Sequence, residues 1–357
     1  MPPRLRPHLR PSKPSWQSTI ISIRWSSTSA KAHEPLRILF CGADAFSIPS
    51  LHALHNLHKR RPDKIASIDV VCKPDARVGR GLKQIQEVPI KSHAAALSLP
   101  LHQLPTFTRW TPPTPPNLII TVSFGLLVPS RLLSAATYGG LNLHPSLLPD
   151  LRGPAPLQHA LLKRRRSTGV SLQTMHPTEF DRGVVLARSG RVGIPADARW
   201  QGLLETLAPL GAEVLVRGLE EGVFVPPLVG LGAEDVDGGE LAHAPKITPE
   251  NRRVLWGVWG AEEVVLRDRV LGRLWVGSLE GRTGRAVFAG PWRVVEGEVG
   301  GVEAGRAVLV PGVGGVGEEV GFGTADGKVV VPAGITIDGG KKGQGGRVVI
   351  EMLKGKR

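Results

Sequence analysis

The sequence predicts an α/β protein of two domains, a mostly parallel sheet with covering helices followed by a small barrel of short strands. Three observations predict it. Apolar runs of strand length alternate with helical stretches over roughly the first 230 residues, the pattern of βαβ units with both sheet faces covered. The composition then turns polar and Gly-rich in "GLGAEDVDGGELAHAPK" (230–246), which has the character of a linker. Beyond it, short Val-rich runs separated by glycine suit the strands of a small barrel better than helices. With 357 residues the chain has room for about two domains.

Each element follows in order. "LRILFCG" (36–42) is an apolar run closed by Gly, and "ADAFSIPSLHALHNLHKR" after it repeats Phe46, Leu51, Leu54 and Leu57 at helical spacing. This is strand, turn, helix. "SIDVVC" (67–72) makes a second strand, "PIKSHAAALSLP" (89–100) a helix, and "NLIITVSFG" (117–125) a further buried strand. "GGLNLHPS" (139–146) and "TGVSLQTM" (168–175) read as strands, "HPTEFDRGVVLARS" (176–189) as a loop followed by a strand, and "RWQGLLETLAPLGAEVLVRGLEEG" (199–222) as a Leu-rich helix closing at Gly222. The arrangement is Rossmann-like. A short helical segment is expected around Trp256 to Arg269, and "PGVGGVGEEVGFG" (311–323) reads either as strand and turn or as a flexible insertion. "KRRR" (163–166) reads as a solvated turn.

The formal charge of +14 and the pI near 10.4 point to a polyanionic partner. Part of that charge lies in residues 1–33, which carry Arg4, Arg6, Arg10, Lys13, Arg24 and Lys31 and no acid. Such a composition predicts a mitochondrial transit peptide, with a disordered basic tail as the alternative. Taking its six charges off the total leaves +8. The predicted organisation is therefore a leader at 1–33, a catalytic domain at 34–230, a linker at 231–245 and a C-terminal domain at 246–357.

Several chemistries are excluded on composition. No run of 18 apolar residues is present to span a membrane. Two cysteines, Cys41 and Cys72, supply neither a zinc site by themselves nor a disulfide framework, and suit a reducing compartment such as the mitochondrial matrix. The turn Gly42-Ala43-Asp44 lacks G-x-G-x-x-G, and no P-loop lysine motif occurs.

The chemistry-bearing stretch is "LNLHPSLLPDLRGPAPLQ" (141–158). Period-two spacing puts Asn142 and His144 on one face of a strand end, where ligands collect in open α/β sheets. An Asn amide can donate to a developing oxyanion, and a His can donate to the same oxygen or carry a proton near neutral pH. The prolines that follow prevent regular structure and leave a wall for a pocket.

This phrase resembles the signature of the folate-dependent formyltransferases, an Asn-x-His followed by Ser-Leu-Leu-Pro and Arg-Gly, here Asn142, His144, Ser146 to Pro149, and Arg152-Gly153. The family's third catalytic group, an Asp in Asp-x-Gly after a "TGV" strand, matches Asp181 of Asp181-Arg182-Gly183, with Glu179 the alternative. "LRILFCGADAFSIPSLHAL" resembles the opening strand and helix, and "SFGLLVP" (123–129) the strand end beside the folate pocket, with Phe124 where many relatives have Tyr. "KPDARVGRGLK" (73–83) is similar to the basic loop of the branch that formylates methionyl-tRNA, where it engages the acceptor end. "APKITPE" (244–250) and "DGGKKGQGG" (338–346) resemble the markers of that branch's C-terminal domain, a small OB-like barrel. The likeness is strong over 36–230 and weaker beyond, where a Gly-rich insert intrudes and the Pro usual near "GRLW" is missing.

The resemblance implies transfer of a formyl group from the co-substrate 10-formyltetrahydrofolate to the α-amine of initiator methionyl-tRNA, without a metal. Asn142, His144 and Asp181 would be catalytic. Phe124, Gly125, Leu126, Ser146, Leu147, Leu148 and Pro149 would hold the folate, and Arg77, Arg80, Lys83 and the C-terminal domain the tRNA. A monomer in the mitochondrial matrix, away from membranes, is expected. Two alternatives stay open: a formyl-folate enzyme acting on a small molecule or on water, and a basic RNA-binding protein that has lost catalysis.

Overall fold

The computed structural model describes residues 23–25, 30–232, 240–279, 282–295, 301–313 and 317–355. Residue contacts divide the chain into two compact units, Met1–Pro245 and Lys246–Arg357.

The first unit is built on an eight-stranded sheet. Five of its strands run parallel: β2 (Leu36–Gly42), β3 (Ile65–Cys72), β6 (Leu101–Gln103), β7 (Leu118–Val122) and β8 (Gly140–His144). β10 (Ser171–Thr174), β11 (Val185–Ser189) and β1 (Ile23–Trp25) extend it antiparallel, giving the order β1-β11-β10-β8-β7-β2-β3-β6. β7 is buried along its whole length because it is covered on both faces, which is why it reads as an unbroken apolar run. Helix α1 (Ser47–Arg60) follows β2 through a turn in which Asp44 Oδ1 accepts the Phe46 N–H at 3.0 Å. The first turn is a tight Asp-centred turn leading into the helix, not a dinucleotide fingerprint.

Helix α5 (Trp200–Glu220) settles which side of the sheet carries the polar residues. It passes so close that a methyl group at Gly211 would come within 3.0 Å of Leu143 Cδ2, and one at Gly218 within 2.7 Å of Leu172 Cδ2. Leu143 and Leu172 therefore face α5, and alternation turns Asn142, His144 and Gln173 to the opposite face.

Three details depart from the sequence reading. The fold uses residues inside the stretch assigned by composition to a leader: β1 pairs with β11, and Lys31 Nζ donates to the carbonyls of Val225 (2.8 Å) and Pro227 (2.7 Å). "KRRR" is not simply a solvated turn, because Arg165 is buried and its Nη2 lies 3.0 Å from Asp150 Oδ1. The end of the expected linker is a strap. Leu151 N–H donates to Ala242 O (2.8 Å), Ala244 N–H to Arg152 O (2.7 Å) and Ala155 N–H to Ala244 O (3.2 Å).

The second unit holds a five-stranded antiparallel sheet, in keeping with a small OB-like domain, in the order β13 (Leu274–Leu279), β14 (Arg282–Val294), β17 (Val329–Ile337), β16 (Glu318–Gly323), β15 (Ala307–Pro311). β15 and β16 pair across the Gly-rich stretch, so the flanks of "PGVGGVGEEVGFG" are strands; residues 314–316 fall outside the described residues. Helix α6 starts at Ala261, later than expected, because Asp326 Oδ1 accepts the Ala261 N–H (3.1 Å) and caps it there. Trp256 stays in the preceding turn, its ring stacked on Phe322 at 5.4 Å in the core with Phe288 and Trp292.

Candidate active site

Strand register brings the polar groups into one row. β8 lies between β7 and β10, with Thr121 opposite Asn142 on one side and Gln173 opposite Asn142 on the other. Thr121 Oγ1 donates to Asn142 Oδ1 at 3.0 Å, which turns the amide nitrogen of Asn142 the other way. That nitrogen donates to Asp181 Oδ1 at 2.9 Å. An amide nitrogen has two hydrogens, so one N–H of Asn142 remains for a ligand oxygen.

Asp181 is held by donors rather than by its own loop. Its neighbours Phe180 and Arg182 are exposed, and its backbone sits at φ 53°, a left-handed conformation that Asp tolerates better than most residues. Its Oδ1 accepts from Asn142 and from Gln173 Nε2 (3.0 Å), and its Oδ2 from the Gly153 N–H (2.9 Å). Glu179, the alternative, is exposed and pairs with Arg182 at 3.0 Å. Of the two carboxylates, Asp181 is the one beside Asn142 and His144.

His144 is buried and has an oxygen before each ring nitrogen: Asp181 Oδ1 lies 3.4 Å from Nδ1, and Leu151 O 3.0 Å from Nε2. A neutral imidazole has one N–H for these two acceptors, whereas the protonated ring serves both. To donate to a substrate oxygen, His144 must first release one of these contacts.

The proline-rich cover is fixed by side chains, since proline offers no N–H. Ser146 Oγ donates to Asp150 O (2.6 Å), Ser171 Oγ donates to Ser146 O (2.8 Å) and accepts the Leu148 N–H (3.0 Å), and Arg188 Nη2 donates to Leu148 O (2.7 Å). Asp150 Oδ1 also accepts the Ala242 N–H at 2.9 Å, which ties the strap to this segment.

The residues expected to hold folate leave the sheet at the carboxyl ends of two adjacent parallel strands, 124–126 after β7 and 146–149 after β8. Leu147, Pro149, Gly125 and Leu126 keep exposed surface, while Ser146 and Leu148 are buried. Phe124 is buried too, 5.7 Å from the Phe107 ring, so that position offers a ligand backbone rather than an aromatic face. Arg77 and Lys83 are exposed on a hairpin, not an open loop, formed by β4 (Ala76–Val78) and β5 (Gln84–Gln86), with Arg80 in the turn between them. Asp75 anchors its base by accepting from Val88 N–H (3.1 Å) and Lys91 Nζ (2.7 Å), and the lysine holds its carboxyl below the usual range.

Sequence reasoning missed Thr121, Gln173 and the Gly153 amide. The signal for the first two was a polar side chain inside an apolar strand, on the same face as Asn142. Among the described residues no group of three or more His, Cys, Asp or Glu is placed to hold a metal ion, and no helix is long and apolar enough to cross a membrane. Cys41 and Cys72 are free and buried, and burial pushes both thiols up.

The chain matches the formyl transferase family over residues 36–219. It is 32% identical over 288 residues to the mitochondrial methionyl-tRNA formyltransferase of Saccharomyces cerevisiae, covering 70% of this chain and 71% of that protein. The mitochondrial human protein of the same name is 29% identical, with 74% of this chain and 64% of that one covered. Methionyl-tRNA formyltransferase of Thermus thermophilus is 33% identical over 301 residues, 83% of this chain and 90% of that one. Among solved structures, a variant of HypX from Aquifex aeolicus aligns with TM-score 0.50 at 21% identity, over 90% of this chain and 48% of that one. An N-formyltransferase from Helicobacter canadensis, crystallised with folinic acid and dTDP-3-aminofucose, aligns with TM-score 0.50 at 12% identity over 83% and 98%. At these identities the two structures share the fold.

Proposed function

Because the chain belongs to the methionyl-tRNA formyltransferases of the formyl transferase family, we propose that its Asn142–Asp181–His144 site transfers the formyl group of 10-formyltetrahydrofolate to the α-amine of initiator methionyl-tRNA. The observation that carries the reading is the Asn142 amide, pinned by Thr121 and Asp181 with one N–H left over at the carboxyl end of a central strand.

The amine nitrogen forms a bond to the formyl carbon, and the carbonyl electron pair moves onto oxygen. Asn142 supplies a donor already aimed and needing no reorganisation, which is what makes such a group effective in a site shielded from water. His144 supplies a second once it lets go of Leu151 O. Collapse of the intermediate restores the carbonyl and breaks the bond to N10 of the folate; N10 takes up one proton and the amine gives one up. His144 and Asp181, 3.4 Å apart, are suited to pass that proton. Leu147, Pro149, Gly125 and Leu126 would form the folate-facing wall, with Phe124, Ser146 and Leu148 supporting it from behind.

The tRNA is held in this reading by phosphate contacts from the hairpin carrying Arg77, Arg80 and Lys83, and by the C-terminal unit. Leu82 and Ile85 on the same hairpin are 58% and 69% exposed, apolar surface for the unstacked end of a nucleic acid. The acid-free N-terminal segment and the mitochondrial relatives together support action in the mitochondrial matrix.

Incubating the protein with 10-formyltetrahydrofolate and methionyl-tRNA, with free methionine and uncharged tRNA as controls, should give formylmethionyl-tRNA. Formylation of a small amine or release of formate, with no tRNA product, would overturn the reading. Binding of tRNA without any transfer would point instead to an inactive RNA-binding protein.

A further inference from the structure

We propose that Gln173 is a positioning residue for formyl transfer, holding the Asp181 carboxylate against Asn142 and completing the row Thr121–Asn142–Gln173 across three neighbouring strands. The inference rests on the function proposed above and deepens it.

Placement is the first argument. Gln173 is 1% exposed in the middle of β10. A buried amide loses hydration that an aliphatic side chain would not miss, so a glutamine there needs a compensating partner. The partner is Asp181. Gln173 Nε2 donates at 3.0 Å to the oxygen that also accepts from Asn142 Nδ2 at 2.9 Å. The strands carrying the two amides lie about 4.8 Å apart, so they grip one oxygen from two sides while the Gly153 N–H fixes the other.

The second argument is what Gln173 leaves undone. Among the described residues its Oε1 is buried with no hydrogen-bond partner, and the bond to Asp181 is the one hydrogen bond the side chain makes. A glutamine serving only the fold would satisfy both ends of its amide, as buried polar groups do. Here the orientation is set by Asp181 alone, because turning the amide over would point its carbonyl at a carboxylate. Losing the Gln173 N–H leaves Asp181 Oδ1 held from one side only, by Asn142, so the carboxylate can shift about its remaining Gly153 contact and the aim of Asn142 is loosened.

The test uses the full-length protein with two substitutions. Gln173→Met keeps the length and removes the donor. Its kcat for methionyl-tRNA formylation should fall about 10- to 100-fold, the range for a hydrogen bond to a charged group, while KM for both substrates stays within about twofold and circular dichroism is unchanged. Gln173→Glu places a second carboxyl beside Asp181. Ionised, it repels; protonated, its O–H donates as the amide N–H did. Relative to the unmodified protein, its activity should therefore recover as pH falls from 8 to 5.5, whereas Gln173→Met shows no such recovery. Full kcat in Gln173→Met would overturn the inference, as would a loss in Gln173→Glu that does not recover with pH. Should Gln173→Met unfold, the pH response of Gln173→Glu decides alone. If the unmodified protein fails to formylate methionyl-tRNA, the proposed function fails instead.

Discussion

Gly153→Ala tests whether the strap and the Asp181 carboxylate are one structure. Gly153 sits at φ 120°, where L side chains are strained, and an added Cβ would lie 2.5 Å from the carbonyl oxygen of Ala244. Strain of that kind costs about 1–3 kcal/mol. The strap cannot move aside without weakening the bonds that Ala244 makes to Arg152 (2.7 Å) and Ala155 (3.2 Å), at roughly 1 kcal/mol each. The expected loss is about 3–5 kcal/mol in a urea titration. If Gly153 shifts instead, its N–H leaves Asp181 Oδ2, a charge-assisted bond that accounts for a further tenfold or more in kcat. Gly139→Ala is the control: φ is 62° and nothing lies within 4 Å of the added methyl, so only the backbone term of about 1 kcal/mol applies. Equal stability losses in the two variants, with full kcat in Gly153→Ala, would refute the reasoning.

Three further outcomes are expected. A chain beginning at Glu34 should be less stable than one beginning at Ile23 by on the order of 2–4 kcal/mol, because it lacks β1 and the Lys31 bonds to Val225 and Pro227; identical melting curves would contradict this. Replacing Arg77 and Lys83 with Ala should weaken methionyl-tRNA binding most at low salt and flatten the dependence on salt by about one unit per residue, leaving folate affinity unchanged; parallel loss of both affinities would make the hairpin structural. The Asp75–Lys91 clip should weaken in acid, since a carboxyl held below its usual range keeps its stabilising charge at neutral pH and loses it only as pH falls through that lowered value. Hydrogen exchange at residues 76–86 should therefore be flat between pH 6 and 8 and quicken, relative to the intrinsic rate, in Asp75→Asn.

The parts of the fold legible in the sequence are those where one local pattern dominates. β7 and β8 are apolar runs because both faces are covered, and Asn142 and His144 stand out against that background. What stayed hidden depends on partners distant in the chain. Arg165 reads as one of four basic residues, and only the fold supplies Asp150 and the carbonyl of Glu240 to bury it. Composition marks 231–245 as a linker, yet the pairing of 242–244 with 151–155 is made by backbone groups, which any non-proline sequence provides. "TGVSLQTM" reads as one strand but divides, since Ser167–Thr168 pairs with Val192–Gly193 while Ser171–Thr174 joins the central sheet. Gly169 marks the break, with room for no side chain between Leu147 and Ser189. Thr121 and Gln173 each look like a tolerated polar residue in a strand until register sets them on either side of Asn142.

The central claim is that Asn142 stabilises the oxygen of the transferring formyl group, and single-turnover transfer by Asn142→Ala tests it most directly. With the enzyme saturated by 10-formyltetrahydrofolate and methionyl-tRNA, the rate should fall by roughly a hundredfold or more, the loss expected for one oxyanion donor. Both dissociation constants and the thermal melt should match those of the unmodified protein. A variant that binds both substrates, stays folded and still transfers the formyl group at the full rate would contradict the account.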